Sequence, residues 1–305
     1  MKEPSLIEPA LHPSATAERG GFVPRRLLFR PWLWLNLTCL DAPLVAVSWQ
    51  LLFAQVLGVP VAAETTAVLF LTAWIIYLAD RLADALALDL TRENSARHRF
   101  CRNHLPIFMG LIAIAIALDA WLLLRGVDTA VLRLGLGVSV LALAYLTVNY
   151  LLSRVWRALP LKEITIGVLF AAGTLTPVLP QVWPISPSWL WTLGLFALLC
   201  SFNCTSLAVW ERALDEAQGR VSLTTRWPGL GKYLVPIGVA ITLAALVLGQ
   251  WNVAFAVPNS CTALSAVGLL GLHLFRNQLA RDDRAAGADL VLLTPLLVLG
   301  WGAFG

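Results

Sequence analysis

Nine apolar runs, each about 20 residues long, restrict the folds open to this chain. A helix of about 20 residues crosses the hydrocarbon core of a bilayer, and lipid requires every backbone group to be bonded within the segment. Only 13% of the residues are charged, about half the usual share of a soluble protein. The prediction is an all-α, polytopic membrane bundle of nine transmembrane helices. The runs fall near 41–59, 63–83, 105–124, 129–150, 161–180, 188–210, 231–250, 255–275 and 286–304.

The region before the first run has a different composition. Residues 1–30 are polar, contain several prolines and are basic, so we expect a cytoplasmic tail without regular structure. Residues 31–305 are expected to form a single nine-helix transmembrane domain. The segment 28–40 contains Trp32 and Trp34 beside basic residues, which predicts an interfacial helix leading into the first span.

The basic residues give a predicted orientation. With nine spans, all but two of the 22 Lys and Arg residues fall on the side of the N-terminal tail. Only Arg125 and Arg133 fall on the opposite side. Because cytoplasmic loops carry the excess of Lys and Arg, the crowded side is predicted to be cytoplasmic and the C-terminus to lie outside.

Two acidic pairs stand where apolar runs pass into basic loops. Asp80 and Asp84 end span 2, and Glu211 and Asp215 end span 6. Residues four apart share one helix face, so each pair can present two carboxylates to one hard cation. A single pair would be typical of solvated ion pairs at a helix end. The repetition of the spacing on two distant spans, both predicted to face the cytoplasm, favours a shared binding site.

A magnesium diphosphate group fits two such pairs. Mg²⁺ prefers one or two carboxylates together with phosphate oxygens, and Arg or Lys side chains bind the phosphate oxygens that remain. A ligand whose other end is hydrocarbon would then lie within the apolar bundle. The pattern therefore indicates an isoprenyl diphosphate as the substrate.

The chain resembles the UbiA superfamily of intramembrane prenyltransferases, which also includes terpene cyclases. The resemblance lies in the two acidic motifs, in Gly219 after the second, and in LDAPLVAVSW and LPLKEITIGVLFAAG, which are similar to the family's first and fifth spans. It implies that 31–305 is a Mg²⁺-dependent catalytic domain. The implied catalytic and metal-binding residues are Asp80, Asp84, Glu211 and Asp215. It also implies that Lys162 contacts the diphosphate, for which an interfacial lysine that reaches towards water is the alternative. The leading interpretation adds Arg97, Arg99 and Arg220 as further diphosphate contacts.

Several positions depart from the family's pattern. Ile76 stands where the first motif has Asn, and Cys39 stands where the first span has Arg. SARHRFCRNH replaces the family's loop after the first motif, and the second motif begins with Glu211 instead of Asp. These departures indicate a divergent branch.

Other polar residues within apolar runs are candidate site residues, because a polar group in a membrane span is functional by default. Asn203, Tyr77 and Asp41 are candidate members of the site, and the alternatives for Asp41 are to cap the first span or to pair with a loop Arg. Asp119 lies in the outer half of span 3, where a pair with Arg125 or Arg133 is the alternative to a function.

Three interpretations follow. The first is transfer of the prenyl group to a lipophilic, aromatic acceptor after ionisation of the diphosphate. The second is a terpene cyclase that needs no acceptor, and the third is a transporter or a non-catalytic membrane protein. The basic residues are distributed as membrane orientation requires, so nucleic acid is not an expected partner.

Overall fold

The protein is a bundle of α-helices, as the apolar runs predict. The computed structural model describes residues 30–302 except 88, 90, 91, 93, 153, 154, 156–160 and 252, and its described part contains no strand. The predicted tail 1–30 lies outside the described residues apart from Arg30. The helices are α1 Pro31–Leu37, α2 Asp41–Leu57, α3 Ala63–Ala87, α4 Ala96–Asn103, α5 Leu105–Leu124, α6 Thr129–Leu151, α7 Lys162–Leu175, α8 Pro187–Gln218, α9 Leu223–Arg226, α10 Leu234–Trp251, α11 Val253–Leu274, α12 Arg281–Leu290 and α13 Pro295–Gly302.

The helices support a multi-pass membrane protein, but not the predicted count of nine spans. Six helices in the described part are long and apolar enough to cross a membrane, and α1 with α2 makes a seventh if the bent pair is one span. Helix α7 has only 14 residues and is followed by Pro177. The last predicted span is broken into α12 and α13 before Pro295, since proline cannot continue the helix's hydrogen bonding.

The surface of the bundle is suited to lipid. Large apolar side chains are exposed along α5, such as Ile107, Met109 and Ile114, and along α6, such as Val140 and Leu143. In water such a surface would be an aggregation site, whereas in a bilayer it is the expected boundary. The exposed apolar side chains of the described helices belong to the apolar runs of the sequence, and they form the surface expected to contact lipid.

Aromatic packing joins α2 and α8 at the centre of the bundle. The Trp49 and Phe196 rings lie 4.5 Å apart, and the Phe53 ring lies 5.5 Å from Phe196. All three side chains are fully buried. The Trp49 indole N–H donates to the Leu292 carbonyl at 2.8 Å, which satisfies a carbonyl at the break between α12 and α13.

Close approach of α7 and α8 depends on Gly167. A Cβ atom at this position would lie 2.3 Å from the backbone nitrogen of Ser201. The Ser201 hydroxyl also lies 3.4 Å from the Ile164 carbonyl, to which it donates. This contact fixes the start of α7, with Lys162, beside the helix that carries Glu211 and Asp215.

The basic loop after α3 folds over one end of the bundle, here named the basic end. Helix α4 begins with Ser95, whose hydroxyl accepts the His98 backbone N–H. The Arg92 guanidinium donates to the Ala217 carbonyl at 2.6 Å, and the Gln218 amide donates to the Asn94 side chain at 3.0 Å. These hydrogen bonds attach the loop to the end of α8, so the same loop covers the ends of α3 and α8.

Helix α1 meets α2 at a bend of 95°. Cys39 lies in the bend with φ of 59°, a left-handed backbone that few residues other than glycine adopt. The structure thus confirms a helix within the segment 28–40. Its position in the membrane interface stays a prediction.

Candidate active site

Both acidic pairs line one cavity of about 560 Å³, at the basic end of the bundle. The residues of α3 that line the cavity recur every three or four positions between Thr65 and Asp84. They therefore form a single helix face about 28 Å long. The other walls come from α5, α6, α7 and α8. All the predicted site residues line this cavity except Arg99 and Asp41. The predicted residues that line it are Tyr77, Asp80, Asp84, Arg97, Lys162, Asn203, Glu211, Asp215 and Arg220.

Asp80 and Asp84 share the hydroxyl of Tyr150, at the end of α6. The Tyr150 oxygen lies 2.8 Å from Asp80 Oδ1 and 3.0 Å from Asp84 Oδ1. One hydroxyl has one proton, so it donates to one carboxylate at a time. Asp84 Oδ2 also accepts from the Arg220 guanidinium at 2.9 Å. The first pair is therefore held together by groups from α6 and from the loop after α8.

A buried histidine orients Asp84. His98 Nε2 lies 3.4 Å from Asp84 Oδ2, and His98 Nδ1 lies 2.8 Å from the Ser95 hydroxyl. Burial lowers the pKa of the His98 imidazole to about 4, so the ring is neutral at neutral pH. The contacts fit a ring in which Nε2–H donates to Asp84 and Nδ1 accepts from Ser95. His98 thus acts on Asp84 as a hydrogen-bond donor without adding a charge.

The second pair is bound to α4 on one side. Arg97 Nη2 donates to Glu211 Oε2 at 2.6 Å, while Glu211 Oε1 is buried and has no hydrogen-bond partner among the described residues. Asp215 lies one turn further along α8 and lines the same cavity. An oxygen left unpaired in a buried site costs free energy, which favours a ligand at Glu211.

The cations predicted to bind diphosphate differ in their surroundings. Arg97 and Arg220 are paired with carboxylates, whereas Lys162 makes no hydrogen bond or ion pair within the described part of the chain. Lys162 lies within electrostatic range of Asp80, Asp84 and Asp215. Arg99 is exposed and lies off the cavity. Lys162 is therefore the cation most available to an incoming anion.

The carboxylates fit a metal that arrives with its phosphate ligand. Among the described residues, no three His, Cys, Asp or Glu side chains converge on a point where they could hold a metal ion together. Mg²⁺ needs only one or two carboxylates when phosphate and water complete its octahedron. Two separate pairs around one cavity, with Glu211 Oε1 unpaired, are suited to that arrangement.

A second polar cluster lies deeper, where Asn203 meets α12. The Asn203 amide donates to Asp289 Oδ1 at 2.9 Å, and its own Oδ1 is buried without a described partner. The Asp289 carboxyl in turn contacts Asp41, which accepts from the Asn36 amide at 2.7 Å. Asp41 is buried behind the cavity wall, so it supports Asn203 and Asp289 from outside the cavity.

Tyr77 is bound to a buried arginine on its own helix. Arg81 Nη2 lies 3.0 Å from the Tyr77 hydroxyl, and Arg81 Nη1 has no described partner. The Arg81 side chain is 5% exposed and lines the cavity beside Asp80 and Asp84. A buried cation with a free N–H is a further candidate anion ligand.

Several residues of the site were missed by sequence reasoning, Asp289 among them. Tyr150 bridges the first pair, and Arg81 adds a buried cation to it. Glu163 is 4% exposed; its Oε1 accepts the Leu223 N–H at 3.0 Å, and its Oε2 is buried without a described partner. Arg81 stands between the two aspartates in YLADRLAD, which is a signal that could have been used. Tyr150 offers none, because its role depends on how α6 packs.

Comparison with known proteins identifies a solved structure with a similar fold. A UbiA homolog from Aeropyrum pernix K1, solved in its apo form, has a similar structure with a TM-score of 0.60 over 86% of this chain and 98% of that chain. The two sequences are 13% identical over this similarity. No protein-family model and no curated protein sequence matches the chain. The similarity confirms the predicted UbiA-like fold.

Proposed function

We propose that this protein is a divergent UbiA-superfamily enzyme that ionises an isoprenyl diphosphate within the membrane and transfers the prenyl group to a lipophilic acceptor. The observation that supports this proposal is the shared cavity. Carboxylate pairs from α3 and α8, distant in sequence, line one cavity, and most of its remaining lining residues are apolar. A charged mouth above an apolar interior matches a ligand that is ionic at one end and hydrocarbon at the other.

The residues at the mouth would bind and hold the diphosphate. Lys162, which has no ion pair among the described residues, would contact its oxygens, and Arg97 and Arg220 would exchange carboxylate for phosphate as their partner. Mg²⁺ would neutralise the leaving diphosphate when bound. The residues that would hold the metal are Asp80, Asp84, Glu211 and Asp215.

The interior of the cavity would protect the allylic cation that ionisation leaves. Apolar walls exclude water, which would otherwise capture the cation. The aromatic rings of Tyr77, Tyr145 and Phe170 line the same space and can face positive charge. An aromatic acceptor dissolved in the bilayer would then attack the cation and release a proton.

A second candidate is a terpene cyclase of the same fold. Ile76 lines the cavity one turn below Asp80, so apolar surface begins directly beneath the proposed metal site. This wall, with its three aromatic rings, suits a cation that must last through ring closure. In that reaction the prenyl chain itself supplies the attacking double bond, and the cyclised cation then loses a proton to give a hydrocarbon or takes up water, with loss of a proton, to give an alcohol.

Acceptor dependence separates the two reactions. Purified protein in lipid nanodiscs would receive labelled geranyl, farnesyl or geranylgeranyl diphosphate with Mg²⁺, with and without aromatic lipophilic acceptors. The transferase predicts a prenylated acceptor and little turnover without one. A volatile hydrocarbon or terpene alcohol as the main acceptor-free product would establish the cyclase instead. If no isoprenoid releases diphosphate, and Asp80→Ala and Glu211→Ala change nothing, the protein is not an enzyme of this kind.

We also propose that the basic end faces the cytoplasm and that the C-terminus lies outside. The distribution of Lys and Arg supports this orientation. Reporter fusions at the two termini test it, because a reporter active only outside the cytoplasm should work at the C-terminus alone. Activity at the N-terminus would reverse the proposed orientation.

A further inference from the structure

Asp119 is a further polar group in the wall of the same cavity, separate from the acidic pairs and from the Asn203–Asp289 cluster. Its side chain on α5 is 9% exposed, and the Thr72 hydroxyl donates to its Oδ2 at 3.0 Å. Its Oδ1 is buried and has no hydrogen-bond partner among the described residues. Arg125, a possible partner in the sequence, stacks on the Trp121 ring at 3.9 Å instead. The carboxyl group therefore stands in the cavity wall with one oxygen that has no hydrogen-bond partner among the described residues.

The depth of Asp119 follows from its bond to α3. Thr72 lies eight residues before Asp80 on one straight run of helix, which places it roughly 12 Å below the proposed metal site. Apolar side chains line the cavity one turn away on both helices, namely Leu69, Ile76 and Leu123. Asp119 is thus a polar interruption about halfway along the cavity wall.

The Asp119 carboxyl group, with one oxygen lacking a described partner, affects the binding of short and long hydrocarbon chains differently. A chain that ends above Asp119 leaves room in the cavity for water beside the carboxyl group, which stabilises its charge. A chain that passes Asp119 replaces that water with carbon and desolvates the carboxyl group, which weakens binding about tenfold or more. The cavity wall would therefore favour prenyl chains that end above Asp119 over chains that pass it.

We propose that Asp119 limits the length of the isoprenoid that this cavity accepts. The proposal rests on the proposed function, because it takes the diphosphate to lie at the acidic pairs. With C–C bonds of about 1.5 Å, an extended chain advances about 1.25 Å per bond, so geranyl spans about 9 Å, farnesyl about 14 Å and geranylgeranyl about 19 Å. Geranyl ends above Asp119, farnesyl reaches it, and geranylgeranyl must pass it.

The test compares Asp119→Leu with the isosteric control Asp119→Asn. Leucine removes the polar group, and the freed Thr72 hydroxyl can bond within its own helix, so the fold should survive. We would measure kcat/KM for diphosphate release from geranyl and geranylgeranyl diphosphate at constant Mg²⁺, together with the thermal unfolding temperature. We expect the geranylgeranyl-to-geranyl ratio to rise about tenfold in Asp119→Leu and to stay within about twofold in Asp119→Asn.

The outcomes separate this proposal from the proposed function. An unchanged ratio in Asp119→Leu, or an equal rise in Asp119→Asn, would show that Asp119 is only structural, while turnover of geranyl diphosphate would leave the proposed function standing. If the wild-type protein neither binds nor converts any chain, the proposed function fails and the length limit fails with it. Binding is measured independently by quenching of tryptophan fluorescence with each diphosphate.

Discussion

Lys162 and Arg99 provide a matched pair of cations for testing the site. Both are predicted from sequence to contact the diphosphate, but only Lys162 lines the cavity, and Arg99 is exposed. We therefore expect Lys162→Met to lose activity and Arg99→Met to keep it. Neither side chain has an ion pair in the described part of the chain, so neither change should remove a stabilising contact from the fold.

The size of the loss can be worked from the surroundings of Lys162. A hydrogen bond between a charged donor and a charged acceptor contributes about 1.5–3 kcal/mol. Because each 1.4 kcal/mol is a factor of ten, Lys162→Met should lower kcat/KM by about 10- to 150-fold. Arg99 is exposed to solvent and screened by salt, so Arg99→Met should stay within about twofold.

The assay is diphosphate release from farnesyl diphosphate in nanodiscs at fixed Mg²⁺ and ionic strength. Thermal unfolding of both variants is measured alongside, so that lost activity is not mistaken for lost fold. The reasoning is refuted if Lys162→Met stays within twofold of the wild type, or if Arg99→Met loses as much as Lys162→Met.

Three further predictions concern the acidic pairs, the helix packing and the metal. Asp84→Asn should lower the free energy of unfolding by about 1–2 kcal/mol more than Asp80→Asn, because Asp84 is the partner of partly buried Arg220. Gly167→Val should destabilise the protein by about 1–3 kcal/mol, whereas Gly137→Val, with open space around it, should not. Chelation with EDTA should abolish diphosphate release but leave the thermal unfolding temperature unchanged, because no described cluster of side chains holds a metal alone.

Each of these three predictions has its own result that would contradict it. Equal destabilisation by the two asparagine variants in denaturant unfolding would mean that the Arg220 pair adds nothing to stability. Equal unfolding temperatures for the two valine variants would contradict the close approach of α7 and α8. A large drop in unfolding temperature with EDTA would point to a metal held by the protein itself, and undiminished turnover would remove Mg²⁺ from the proposal.

Much of the fold was predictable because its signals are local. The apolar runs give helices wherever lipid forbids unpaired backbone groups, and the i, i+4 spacing puts each acidic pair on one helix face whatever the helix packs against. The predicted count of nine spans is not confirmed. Short or broken elements such as α7 and the α12–α13 pair depend on neighbouring helices to cover their ends, and hydropathy does not report that cover.

The sequence by itself determined an all-α membrane bundle and two carboxylate pairs beside basic loops. Tertiary structure alone decided that the pairs share one cavity, that Arg97 and Arg220 are bound to carboxylates while Lys162 has no such partner among the described residues, and that Tyr150 joins Asp80 to Asp84. The physical reason is the distance along the sequence over which each kind of interaction acts. Backbone hydrogen bonding and helix periodicity act within a few residues, whereas ion pairing and burial depend on which distant segments the packed helices bring together.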